Sequence, residues 1–112
     1  MKEIKAIIRP NKLIPLRDKL MLVPGFPGMT VTKVEGCSAP TRNFPENLKE
    51  ELVDFTPKIR IEMIAPDEAV EALVECITQV CQTGQIGDGL VWVADIECAR
   101  FLFKTESGQA TT

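Results

Sequence analysis

The residues of this chain best placed to do chemistry are Thr83-Gly84-Gln85-Ile86-Gly87-Asp88-Gly89. Glycines permit positive φ and let a ligand come close to the backbone. Successive exposed N–H groups in such a turn form an anion-binding concavity. The segment therefore reads as a phosphate cradle. It reads equally as a helix stop at Gly84 followed by a tight turn over Gly87–Gly89, because short glycine-rich turns are weak motifs.

Other chemistry is narrowed by what the chain lacks. There is no histidine, which removes imidazole catalysis, phosphohistidine chemistry and imidazole metal sites. The four cysteines are Cys37, Cys76, Cys81 and Cys98. None has C-x-x-C spacing, which argues against a zinc ribbon or a thioredoxin-like motif. Cys76 and Cys81 lie five apart in a helical pattern, roughly 140° around it. They read as reduced, partly buried small hydrophobes. Cys37, before a loop, is the thiol expected to be most reactive. A soft metal held by cysteines alone stays open.

The elements that must hold the glycine turn follow from periodicity. Residues 3–9 alternate and are rich in isoleucine, giving a first strand. Leu13, Leu16 and Leu20 mark one helix face, with Pro15 tolerated only in its first turn. Pro24-Gly25-Phe26-Pro27-Gly28 breaks the chain. Residues 29–35 and 58–65 alternate as a second and third strand. A second helix spans 67–82, with Asp67 as N-cap, a Val70, Leu73, Val74, Ile77 stripe and Gly84 at its C-terminus. Residues 90–94 form the fourth strand, and a last apolar segment runs from Ala99 to Lys104. The tail 105–112 is polar and expected to fray. The whole chain, 1–112, reads as one domain with a flexible loop over 37–56.

The order β-α-β-β-α-β is that of an α+β, ferredoxin-like sandwich. Two helices cover one face of an antiparallel four-stranded sheet. Ile7, Val31, Ile61 and Val91 are expected to need cover on the other face, which points to an oligomer. With 112 residues, 45% apolar and 26% charged, the chain is an ordinary globular domain. A net charge of −3 argues against general nucleic-acid binding. The charged start carries no secretory pattern, and no apolar run approaches a membrane span. A cytoplasmic protein is expected.

The chain resembles the PII signal-transduction (nitrogen regulatory) family. The resemblance rests on Lys5-Ala6-Ile7-Ile8-Arg9-Pro10, on Gly28-Met29-Thr30-Val31-Thr32-Lys33-Val34, on Val53-Asp54-Phe55-Thr56-Pro57-Lys58, and on Gln82 through Gly89. It implies a homotrimer that binds adenine nucleotide between subunits and regulates partner proteins, membrane transporters among them, through the 37–56 loop. It implies a binding protein and not an enzyme. By position, Ile7, Thr30, Gly36 and Ile64 would line the base and ribose end. Gly87, Asp88 and Gly89 would approach the phosphates, and Lys58 would help hold 2-oxoglutarate. Within the loop, Phe44 and Leu48 are the expected apolar anchors for a partner, with Arg42 and Lys49 on the polar rim.

The chain departs from the family where charge matters. Leu90 stands where the resemblance implies a phosphate-binding lysine, and Phe101 and Phe103 stand where it implies two arginines. A glutamine of the Mg-ATP and 2-oxoglutarate site is missing from the run Gly36-Cys37-Ser38-Ala39-Pro40. There is no tyrosine to be uridylylated. AMP or ADP is therefore favoured over ATP, with another small molecule or no ligand as the alternatives. In that last case the chain is a degenerate trimer serving as an interaction module, with Leu90, Phe101 and Phe103 filling the cleft as core. A remote alternative is an acylphosphatase-like hydrolase on the same fold, with Arg9 as its anion binder.

Overall fold

A computed structural model describes residues 1–38 and 55–103. Along the chain come β1 (Lys2–Ile8), a 3-10 turn (Pro10–Lys12), α1 (Leu13–Leu20), β2 (Thr30–Gly36), β3 (Thr56–Ala65), a 3-10 turn (Asp67–Ala69), α2 (Val70–Cys81) and β4 (Gly89–Asp95). The strands form one sheet in the order β2-β3-β1-β4, with every neighbouring pair antiparallel. This is the ferredoxin-like arrangement that the element order predicts.

Strand alternation places Ile4, Ala6 and Ile8 of β1 and Ile59, Ile61, Met63 and Ala65 of β3 on one buried face. Leu16 and Leu20 of α1 meet it, as do Leu73, Ile77 and Cys81 of α2. The spacing of those helix residues follows the 3.6-residue period, so a single stripe of each helix is buried. Leu73 is fully buried. Leu73→Ala is expected to cost about 2–5 kcal/mol, from lost transfer energy and the cavity left behind. A urea midpoint close to that of the natural chain would contradict this packing.

The register corrects the expectation for the second face. Val31 lies opposite Ile61, and Val91 opposite Ala6. Both therefore share the helix-covered side with Ile61, and only Ile7 of the four lies on the open side. The open side is mixed. Glu3 pairs with Lys5 at 3.6 Å and Arg60 with Glu62 at 3.0 Å. Beside them lie Ile7, Val34 and Ile64, with Leu90 and Trp92 on the β4 edge.

Two local expectations also change. Asp67 makes no cap bond, and Pro66 stands at the N-cap of the turn that leads into α2. The Asp67 carboxylate instead lies 2.9 Å from the N-terminal ammonium of Met1. Helix α2 ends because Gln82 turns extended, two residues before Gly84. Residues 96–103 make no strand, so the expected apolar segment after β4 is irregular where it is described. The loop residues Arg42, Phe44, Leu48 and Lys49, and the tail 105–112, lie outside the described residues.

Candidate functional site

The glycine turn joins α2 to β4 and is folded around its own carboxylate. Asp88 Oδ2 accepts the N–H groups of Thr83 at 2.7 Å, Gly84 at 2.9 Å and Gln85 at 3.3 Å. Its Oδ1 accepts the Thr83 hydroxyl at 2.6 Å and Arg9 Nε at 3.2 Å. Three successive N–H donors do converge on an anion, as the sequence suggests. That anion is the Asp88 side chain, which is 17% exposed. The donors of residues 83–85 are thus spent within the turn, and Asp88 faces inward instead of toward a phosphate.

Two cations brace the same turn from other elements. Arg9, just past β1, donates through Nη2 to the Ile86 carbonyl at 3.0 Å. Lys58 of β3 donates to the Gly87 carbonyl. Arg9 thus holds the Asp88 carboxylate and the Ile86 carbonyl, both within the turn. Burial, and then the like charge of Arg9, hold the Lys58 amine below the usual lysine value.

The Thr83 hydroxyl, the backbone donors and Arg9 hold the Asp88 carboxyl well below the usual carboxylate range. A depressed folded-state pKa contributes stability that is full above the unfolded value, near 4, and is lost as pH falls toward the folded value. Asp88→Asn is expected to lower the urea midpoint at pH 7. The gap to the natural chain should narrow as pH falls below about 4. A gap that stays constant from pH 7 to pH 2 would contradict this.

Backbone geometry fixes where the turn meets the sheet. Gly87 has φ +97°, and Gly89 has φ +103°. A Cβ on Gly89 would lie 1.7 Å from the Ile7 carbonyl oxygen. Only glycine permits that close approach at the start of β4.

Around this junction lies a concavity of about 250 Å³. It is lined by Ile7, Gly36, Lys58, Ile86, Gly87, Gly89 and Leu90, with Cys37 and Ser38 at its edge. The residues expected at the site gather here with three exceptions: Thr30, Ile64 and Asp88, the last lining the concavity between α2 and β4 described below. Thr30 and Ile64 line a different concavity of about 390 Å³, together with Glu3, Glu62 and Phe101. Ile7 lies opposite Arg60, four residues before Ile64 on β3, or about 13 Å along the strand. The two concavities are thus separate within one chain. A third concavity, of about 310 Å³, opens between the end of α2 and β4, with Ile77, Cys81, Leu90 and Val91 among its walls.

The three apolar departures do not form core within the protomer. Leu90 is 59% exposed and Phe103 69% exposed. Phe101 and Phe103 hold ring centroids 5.9 Å apart. Cys37 and Cys98 are exposed, and burial pushes the Cys81 thiol up to about 11. Among the described residues no group of three or more acidic, histidine or cysteine side chains could hold a metal. Among the same residues no helix is long and apolar enough to cross a membrane.

Arg9 and Thr83 were not expected to shape this turn. Arg9 and Asp88 are 79 positions apart, so no local pattern links them. Thr83 carries a weak signal, as a hydroxyl five residues before an aspartate in a glycine-rich turn.

A family model described as nitrogen regulatory protein P-II matches residues 1–105. A nitrogen regulatory protein P-II of Pasteurella multocida (strain Pm70) is 43% identical over 99 residues, covering 87% of each chain. Nitrogen regulatory protein P-II 1 of Escherichia coli (strain K12) is 44% identical over 98 residues, covering 86% of each. A nitrogen regulatory protein P-II of Haemophilus influenzae is 41% identical over 101 residues, covering 88% of each.

Proposed function

The chain belongs to the nitrogen regulatory protein P-II family and is a signalling regulator of that kind; on that premise we propose that it senses AMP or ADP in clefts between the subunits of a homotrimer. It works in the cytoplasm and catalyses no reaction. The ligand state is passed to a partner protein, a membrane transporter, through the segment 37–56.

The observation that carries this reading is the division of the site. Ile7, Gly36, Gly87, Gly89 and Lys58 lie at one end of the open sheet face, and Thr30 and Ile64 at the other. A cleft between protomers joins one half-site to the other, which neither chain can do alone. The preference for few phosphates rests on Leu90, an apolar side chain standing beside Gly89 in the half-site that the phosphates would approach.

Calorimetric titration with AMP, ADP and Mg-ATP tests the reading. ADP and ATP are expected to bind within about tenfold of each other, because a third phosphate gains no added charge-assisted contact. Tight Mg-ATP binding, strengthened further by 2-oxoglutarate, would overturn it. A second reading, a trimer that binds no nucleotide and acts only through its partner, is favoured by one observation. The N–H donors of Thr83, Gly84 and Gln85 are occupied by Asp88. A stable trimer giving no heat with any of the three nucleotides selects that reading.

A further inference from the structure

The concavity of about 310 Å³ between the end of α2 and β4 differs in chemistry from the one beside Lys58. Its walls include Ile8, Ile77, Cys81 and Val91. Ile8, Ile77 and Cys81 are 1%, 2% and 6% exposed, and Val91 packs against the same core. Side chains so closely packed hold their places, so the hollow keeps its shape when empty. No α2 residue reaches the concavity beside Lys58, although Ile7, Gly89 and Leu90 border both.

Charge is nearly absent from this hollow. No lysine or arginine lines it, and its one carboxylate is that of Asp88. Both oxygens of that carboxylate are occupied, by the N–H groups of Thr83, Gly84 and Gln85, the Thr83 hydroxyl and Arg9. An anion entering here would meet a carboxylate and no cation. A cation would find Asp88 already paired with Arg9. Either charge would lose its water without a partner to replace it. A neutral molecule escapes that cost and gains by covering apolar wall.

The mouth is polar. The Thr78 hydroxyl is spent on the Val74 carbonyl at 2.9 Å. The side-chain amides of Gln82 and Gln85, by contrast, make no hydrogen bond among the described residues. Each offers two donors and an acceptor to a polar end.

We propose that this concavity is a second ligand site, which takes a small uncharged molecule with an apolar body against Ile77 and Val91 and one amide or hydroxyl end toward Gln82 and Gln85. At about 30 Å³ for each water-sized group, it has room for roughly ten non-hydrogen atoms. A nucleotide is too large for it and carries the wrong charge. The occupant also bears on the glycine turn, because Gln85 bonds Asp88 through both its N–H and its carbonyl. The site does not depend on nucleotide binding in the intersubunit cleft.

NMR of the full chain, with isoleucine and valine methyls labelled, tests the site. Benzamide is the neutral probe and benzoate its charged counterpart. Benzamide is expected to shift the methyls of Ile8, Ile77 and Val91 saturably, with a millimolar midpoint suited to so small a ligand. Benzoate is expected to bind at least about tenfold more weakly. No saturable benzamide shift at these methyls, or equal binding of the two probes, would overturn the proposal. Thr78→Phe places a ring in the hollow and is expected to weaken benzamide at least about tenfold. Gln82→Phe, at an exposed position of the mouth, is the second blocking variant should Thr78→Phe fail to fold. Benzamide binding unchanged in a folded blocking variant puts the probe elsewhere and overturns the site. The titration is repeated with ADP at high concentration. Retained shifts support a separate site. Complete displacement of benzamide by ADP makes the hollow part of the nucleotide cleft and sinks this proposal alone. Benzamide shifts from a chain that binds no ADP sink the nucleotide reading and leave the second site standing.

Discussion

Leu90→Lys, Phe101→Arg and Phe103→Arg, made together, are expected to raise affinity for ATP about a thousandfold or more. Each added cation supplies a charge-assisted contact to phosphate, worth about 1.5–3 kcal/mol when partly desolvated. Three such contacts total at least about 4.5 kcal/mol, and each 1.4 kcal/mol is tenfold. The substitutions should be well tolerated, because Leu90 and Phe103 are mostly exposed and Phe101 lies at the edge of a concavity. ADP should gain less than ATP, since it offers fewer phosphate oxygens. Calorimetry on the triple variant checks the prediction. An ATP affinity equal to that of the natural chain, with the trimer intact, would mean that these three positions do not face the phosphates.

Gly89→Ala is expected to be the most damaging single change near the site. The added methyl would lie 1.7 Å from the Ile7 carbonyl oxygen and 2.7 Å from its carbon, at a φ of +103°. The obstacle is backbone, so no side chain can swing aside. Either β4 leaves its register with β1 or the turn opens. A cost of about 3–5 kcal/mol is expected, combining left-handed strain with lost strand pairing. For a domain of this size that is a fall of roughly 12–25 °C in Tm. Gly84→Ala is the control: the site has open space but a φ of +81°, so only the strain remains, about 1–2 kcal/mol. Equal melting temperatures for the two variants would contradict the close approach at Gly89.

The fold was legible because periodicity survives in single segments. The alternation in KEIKAII and TPKIRIEMIA and the apolar stripe of VEALVECITQVC each fix an element without knowledge of the others. What these patterns lack is relative register. Val31, Ile61 and Val91 were expected on the open face, and pairing with Ala6 and Ile61 puts them on the covered one. A one-residue slip reverses every side chain, so face assignment needs the partner strand. The glycine turn was legible as an anion-binding geometry, but not the identity of its anion. The position of Asp88 beside three glycines suits a side chain that satisfies the turn's own donors, as it does with the N–H groups of Thr83, Gly84 and Gln85. Arg9 was outside reach altogether, since the contact joins the end of β1 to the start of β4. Asp67 has the sequence of a cap, but the Met1 ammonium competes for its carboxylate.

Native mass spectrometry of the natural chain with equimolar ADP and ATP tests the central claim most directly, because one spectrum reads both assembly and occupancy. The account predicts a trimer carrying up to three nucleotides, with ADP retained at least as well as ATP. A monomer that holds nucleotide, or a trimer loaded almost entirely with ATP, would contradict it.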